Sequence, residues 1–262
     1  MADLMKGKRG LIMGVANDRS IAWGIAKAMR AEGAELAFSY QGDAFGKRVK
    51  PLADQLGVDL LVDVDVTDDA SLDACFGQIG ERWGKLDFVV HAIAFSDKNE
   101  LGGRFINTTR DNFRNSLTIS CYSLIDVARR AEPLMTDGGT ILTLTYMGSN
   151  RVTPFYNVMG VAKAALESSV RYLANDMGPN RIRVNAISPG PMKTLAGAAI
   201  SGARKTFNTA RDNAPLRDNA TLESIGGTAV YLASDYGACT TGEIITVDGG
   251  YHVLGMMQPE NL

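Results

Sequence analysis

The sequence predicts an α/β fold: a doubly wound parallel sheet of seven strands with helices on both faces. Three observations carry this. Short apolar runs rich in Val, Ile, Leu and Phe alternate with longer segments whose apolar residues recur every three or four positions. The joins are short, and parallel neighbours need a crossover, so the alternation winds helices onto both faces. No linker, repeat or low-complexity tract interrupts the 262 residues, so one domain is expected over 1–262. In such sheets ligands bind outside the carboxyl ends of the strands, so the chemistry should follow each strand.

The first strand is expected over 8–14 and ends at Gly14. Ser20 then suits the N-cap of a helix whose buried face is marked by Ile21, Ile25 and Met29. A glycine turn feeding a helix N-terminus aims unpaired N–H groups and the positive dipole end at a pyrophosphate, the Rossmann-like arrangement. The G-x-G-x-x-G fingerprint is absent and only Gly14 and Gly24 remain, so an ordinary βα turn is the competing reading. The second strand, 35–40, ends at Gln41, where such a fold meets the adenosine ribose. An acidic residue there would signal NAD, and a basic one the 2′-phosphate of NADP. Neutral Gln41 is compatible with NAD, and Lys47 and Arg48 fall on the solvated face of the next helix, so NADH is expected. After the third strand, 59–66, Asp65 and Val66 can hold an adenine edge, while D-V-T-D also fits the cap of the next helix.

The fourth strand, 87–95, contains His91, read as a hydrogen-bonded structural residue. The fifth, 139–146, ends at Tyr146. Tyr156 and Lys163 follow, seven apart, at the start of an amphipathic helix marked by Val158, Ala162, Leu166, Val170 and Leu173. Seven residues at 100° each return to within about 20° of one face, so both can face a cofactor. A phenol can donate to a developing oxyanion; an ammonium can hold a ribose and lower the phenol pKa. Spacing alone is poor evidence, since Tyr40 and Lys47 are also seven apart. Strands over 182–188 and 243–248 complete the seven.

Composition excludes several classes. There are 27 Lys and Arg against 29 Asp and Glu, a formal charge of −2, so nothing favours nucleic acid. Cys75, Cys121 and Cys239 are far apart and lack C-x-x-C, and read as small buried hydrophobes in a reducing cytosol. His91 and His252 are the only histidines, so no catalytic metal is expected. No apolar leader or membrane-spanning run is seen, so a soluble cytoplasmic protein is expected. Trp23 and Trp83 read as core or interface packing.

Several motifs together resemble one family: Tyr146, Tyr156-x6-Lys163, the G-x5-S-I-A-x-G loop from Gly14, and N-A-I-S-P-G-P from Asn185. Y-N-V-M-G-x-A-K, A-N-D-M-G-P and the late I-T-V-D-G-G extend the match over nearly the whole chain. These resemble the divergent short-chain dehydrogenase/reductases that act as NADH-dependent enoyl-acyl-carrier-protein reductases. Ordinary members carry Tyr-x3-Lys, and no Tyr here is followed by Lys four residues on.

The resemblance implies reduction of the trans-2 double bond of enoyl thioesters on acyl carrier protein, using NADH, in fatty acid elongation. It makes Tyr156 the enolate-stabilising donor, Lys163 the ribose anchor and Tyr146 a second phenol near the thioester. Gly14, Ser20, Ile21, Gln41, Asp65, Val66 and Ile93 would line NADH/NAD. Met192, Lys193, Thr194, Leu195 and Ala196 would cover its nicotinamide and pyrophosphate side, with Thr194 as the side-chain donor. The backbone of Ser96 would face substrate, and a homotetramer is implied. Ala94 and Met192 depart from the Gly and Ile frequent in the family, which affects pocket shape. The small-residue apolar stretch from Leu195 reads as a substrate lid over 195–213, with Arg204 and Lys205 placed to meet an acidic carrier protein. A surface amphipathic helix is the competing reading there. For the whole chain, the competitors are another short-chain ketone or alcohol oxidoreductase and a non-catalytic dinucleotide sensor.

Overall fold

Alternating apolar residues place seven short strands in one parallel sheet, ordered β3-β2-β1-β4-β5-β6-β7. They are β1 (Arg9–Met13), β2 (Glu35–Tyr40), β3 (Leu60–Asp63), β4 (Phe88–His91), β5 (Gly139–Leu144), β6 (Ile182–Pro189) and β7 (Ile244–Val247). This computed structural model describes residues 3–198 and 202–261, with Ala196 and Ala198 by backbone alone. The order reverses between β1 and β4, which opens a crevice at their carboxyl ends.

Successive side chains of each strand feed two separate cores. Leu11, Met13, Val89, Val184 and Ala186 point to one, under α3 (Asp69–Trp83), α5 (Ser123–Ala131) and α6 (Asn157–Met177), while α4 (Arg110–Leu117) packs beside α6. Ile12, Phe38, Phe88, Val90 and Ile187 point to the other, under α1 (Ile21–Ala31), α2 (Gly42–Leu56) and α9 (Leu222–Ala233). Full burial of each such aliphatic side chain contributes roughly 1.5–3 kcal/mol. Ile25 and Met29 of α1, and Val158, Ala162, Leu166 and Val170 of α6, are buried on the expected faces. Trp23 and Trp83 are core residues. Two short helices, α7 (Leu195–Ala198) and α8 (Ala203–Asn213), follow β6.

Three expected strands run two or more residues too long at their carboxyl ends. β3 stops at Asp63, β4 at His91 and β5 at Leu144, each followed by a single further ladder bond: Val64 N–H to Tyr40, Ala92 N–H to Met13, and Thr145 N–H to Ile187. The apolar residues beyond, Val66 and Ile93 among them, still pack on the core, which is why they read as strand. The cysteine reading also needs one correction. Cys75 and Cys121 are buried, but Cys239 is exposed, in the turn between α9 and β7.

Candidate active site

The turn after β1 is drawn tight against its neighbour. Gly14 has φ +96°, and a Cβ there would lie 2.2 Å from the carbonyl oxygen of Ala92. The close approach that demands glycine is therefore to the end of β4. Ser20 holds the N-cap position of α1, but its side chain does not cap the helix. Its Oγ donates to the Asn17 carbonyl at 2.6 Å and accepts from Ala16 N–H at 3.3 Å, closing the 16–20 loop instead. Among the described residues, the N–H groups of Ile21 and Ala22 consequently have no acceptor. That is the donor set a helix N-terminus offers a phosphate. Gly24 lies inside α1 and serves helix packing: a Cβ there would meet Leu222 Cβ at 2.8 Å, and one on Gly226 would meet Ala28 Cβ at 2.7 Å.

Gln41 and Asp65 meet at the tips of β2 and β3. The Asp65 carboxylate accepts from Thr67 N–H at 2.8 Å and Thr67 Oγ1 at 2.7 Å. The Thr67 hydroxyl, the Thr67 N–H and the Gln41 amide together lower its pKa despite partial burial. The helix cap falls to the last residue of D-V-T-D: Asp68 accepts from Ala70 N–H at 3.0 Å. Lys47 and Arg48 are exposed on α2.

Tyr146 follows β5, and Tyr156 occupies the N-cap position of α6, before the first helical residue. The 100° helical argument therefore does not set the Tyr156 direction. Its neighbours Phe155 and Asn157 both have positive φ, +60° and +29°, an unfavourable pair held by surrounding contacts. Asn157 Nδ2 donates to the carbonyls of Glu100 and Gly102, both at 3.1 Å. The Tyr146 and Tyr156 rings meet edge-on, with centroids 5.1 Å apart at 64°. A Cβ on Gly148 would lie 2.4 Å from the Tyr156 ring, and one on Gly160 would lie 2.7 Å from the Gly148 carbonyl oxygen. Both glycines thus make the seat for Tyr156, a role their sequence positions did not announce. Gly148→Ala is expected to displace the ring and lower kcat about tenfold with NADH affinity unchanged; unaltered turnover in a steady-state assay would remove this role.

Lys163 is buried on α6 and donates from Nζ to the Leu144 carbonyl at 2.7 Å. Burial lowers its pKa to about 8, opposed by Cys121 and Glu167. Glu167 accepts from Thr145 Oγ1 at 2.6 Å, one turn beyond Lys163. The phenols move the other way. Burial, with Tyr251 adding, raises Tyr146 to about 12; burial, with Tyr146 and Glu167 adding, pushes Tyr156 higher still. Lys163 is not among the groups that shift either phenol, so the expected lowering of a phenol pKa by its ammonium is not seen. A phenol that stays protonated is a hydrogen-bond donor. Ser149 Oγ, in the turn between the two tyrosines, is buried without a partner among the described residues.

His91 is fully buried, with Nε2 2.8 Å from Ser123 Oγ and Nδ1 3.2 Å from Thr143 Oγ1, the structural place expected of it. Burial, with the Lys163 charge adding, lowers its pKa from 6.5 to about 3. Between those values the unfolded chain takes up a proton that the folded chain does not, so stability falls as pH drops below 6.5. His91→Gln is expected to lose less stability than the parent between about pH 6 and pH 4. Parallel denaturation midpoints for the two proteins over that window would contradict this.

Ser96 turns its side chain into the protein, donating to Asn112 Oδ1 at 3.3 Å and accepting from Ser116 Oγ at 2.9 Å. Thr194 Oγ1 accepts from Gly197 N–H at 2.9 Å, which leaves its own proton free to donate. Lys193 Nζ lies 4.4 Å from the centre of the Phe207 ring on α8, a cation–π contact. Met192 packs on the core and Leu195 is exposed. Ala196 is described by backbone alone, and residues 199–201 of the expected lid lie outside the described residues. Among the described residues no cluster is placed to hold a metal, and no helix is long and apolar enough to cross a membrane.

A Rossmann-like parallel sheet with two phenols and a buried ammonium at its carboxyl edge defines an α/β oxidoreductase. The enoyl-(acyl carrier protein) reductase family matches residues 14–252, and the chain belongs to that family. It is 61% identical over 262 residues to enoyl-acyl-carrier-protein reductase (NADH) 2 of Rhizobium meliloti, covering 100% of this chain and 98% of that one. The crystal structure of the Anaplasma phagocytophilum reductase in complex with NAD is 58% identical, with TM-score 0.95 over 97% of each chain. That of the Bacillus cereus reductase with NADP+ and indole naphthyridinone is 49% identical, with TM-score 0.95 over 97% of this chain and 99% of that one.

Proposed function

We propose that this chain reduces the trans-2 double bond of enoyl thioesters on acyl carrier protein, with NADH, in fatty acid elongation. The observation that carries the reading is the buried, protonated Tyr156 seated edge-on against Tyr146, on the helix that carries Lys163. The cofactor fits the residues present. Free N–H groups at Ile21 and Ala22 suit the pyrophosphate, Gln41 the ribose, Asp65 and Val66 the adenine, and Ile93 and Met192–Ala196 the nicotinamide side. Neutral Gln41, with no basic residue directly after β2, supports NADH over NADPH. When bound, NADH supplies a hydride to the substrate β-carbon.

As charge then develops on the thioester oxygen, the Tyr156 hydroxyl donates to it from a fixed position and needs no reorganisation. Lys163 holds the nicotinamide ribose, and Tyr146 flanks the acyl thioester. Ser96 presents its backbone to the substrate. Helices α7 and α8 cover the acyl chain as a lid on the single domain, tied to the 192–196 segment by Lys193 and Phe207. Exposed Arg204 and Lys205 meet the acidic carrier. The exposed Tyr122, Ile125, Val161 and Tyr172 around α5 and α6 support self-association, in a cytoplasmic homotetramer.

The test is NADH absorbance with crotonyl and longer enoyl thioesters, then with a β-ketoacyl thioester. Oxidation with the enoyl substrates alone is expected. Turnover of the ketone alone would move the chain to ketone reduction, and turnover of neither would leave a dinucleotide sensor.

A further inference from the structure

Side chains with no part in the proposed chemistry grip the loop that leaves β4. Ser120 Oγ accepts from Phe95 N–H at 3.0 Å and donates to the Phe95 carbonyl at 3.1 Å, holding one residue's backbone at both ends. Two residues further on, Asn112 Oδ1 accepts from Asp97 N–H at 3.0 Å. Between these two anchors the Ser96 N–H has no acceptor among the described residues. Met159, which packs with Tyr156 and Leu101, lies with its sulfur 3.8 Å from the same Ser120 hydroxyl. The clamp therefore adjoins the packing of Tyr156 itself.

Ser120 reaches this place because α4 and α5 are joined by a π turn, Thr118–Tyr122. Such a turn widens the helix locally and disturbs its carbonyl ladder. Here the Ile119 carbonyl accepts from Ser123 Oγ at 2.6 Å. With its proton spent there, Ser123 Oγ accepts from His91 Nε2–H at 2.8 Å. The Nε2–H tautomer meets this shorter contact, while Thr143 Oγ1, 3.2 Å from Nδ1, donates its own proton to the His91 carbonyl at 3.0 Å. His91, Ser120 and Ser123 are all fully buried. His91 stands on β4, four residues before Phe95, so strand, π turn and loop close into one hydrogen-bonded ring.

We propose that Ser120 is a positioning residue that sets the Phe95–Ser96 backbone against the acyl thioester, and that the His91–Ser123 pair holds the π turn where Ser120 needs it. The proposal rests on the enoyl reductase reading. Its mechanism is that a doubly hydrogen-bonded Phe95 cannot swing, so the adjoining Ser96 N–H is presented in one direction.

The experiment combines steady-state kinetics on crotonyl-coenzyme A and NADH with amide hydrogen exchange across 92–97, for Ser120→Ala, Ser123→Ala, His91→Gln and the hydroxyl-retaining Ser120→Thr. Ser120→Ala is expected to raise KM for the thioester about three- to tenfold, with KM for NADH unchanged. The Phe95 amide should exchange faster while the Asp97 amide, held by Asn112, keeps its protection. Ser123→Ala should reproduce both effects more weakly, and Ser120→Thr should restore the Phe95 protection. An unchanged thioester KM and Phe95 exchange in Ser120→Ala would overturn the proposal. So would a loss of thermal stability that changes all kinetic constants alike, the mark of a merely structural role. Should His91→Gln fail to fold, the two serine variants decide. If the parent protein does not turn over the thioester, the functional reading fails, and Phe95 exchange alone judges the clamp.

Discussion

Tyr156→Phe is expected to lower kcat by about 10²–10³, the cost of losing one fixed donor at a developing oxyanion, about 2.7–4 kcal/mol. The substitution is conservative for packing. The ring keeps its edge-on contact with Tyr146 and its seat against Gly148, so no cavity opens and the fold is undisturbed. The phenol is buried and held protonated by its surroundings, so what is removed is a donor and not a phenolate. NADH affinity, measured by fluorescence titration, should stay within about twofold of the parent, because Tyr156 acts only once charge develops. Full turnover by the Phe variant would exclude Tyr156 as the enolate donor.

Lys163→Ala is expected to act at the other end of the reaction, weakening NADH binding about 10- to 100-fold, the worth of one charge-assisted hydrogen bond. Lys163 is fixed by the Leu144 carbonyl, on the strand that leads into Tyr146, so its ammonium is pre-positioned before any ligand arrives. Because burial brings its pKa to about 8, the charge is present at neutral pH and is lost as pH rises through that value. NADH affinity of the parent should therefore decline above about pH 8, while that of Lys163→Ala stays flat. Equal NADH affinity in both proteins at pH 7 would refute the anchoring role.

The seven strands were legible because buried strands need Val, Ile, Leu and Phe, and that demand is local. The carboxyl ends of β3, β4 and β5 were not. Val66 and Ile93 remain apolar beyond the last paired residue because they pack beneath the site, and apolarity alone does not distinguish a ladder from a buried loop. Gly14 was legible as a turn glycine, but not the reason for it, since the Ala92 carbonyl it avoids is 78 positions away. Ser20 and D-V-T-D were recognisable as cap chemistry. Which oxygen caps, and which closes a loop, depends on competing donors that only the folded turn brings near.

The sequence by itself determined the fold class, the order of its elements and, through the family resemblance, Tyr146, Tyr156 and Lys163 as the groups to watch, because periodicity and sequence motifs are properties of contiguous residues. Only the tertiary structure decided how those groups are held. Tyr156 sits outside its helix between two residues of positive φ, in a seat cut by Gly148 and Gly160, and the loop bearing Ser96 is clamped by Ser120 from a π turn. Each of these depends on a close approach between segments distant along the chain, where a few tenths of an ångström decide which side chain fits.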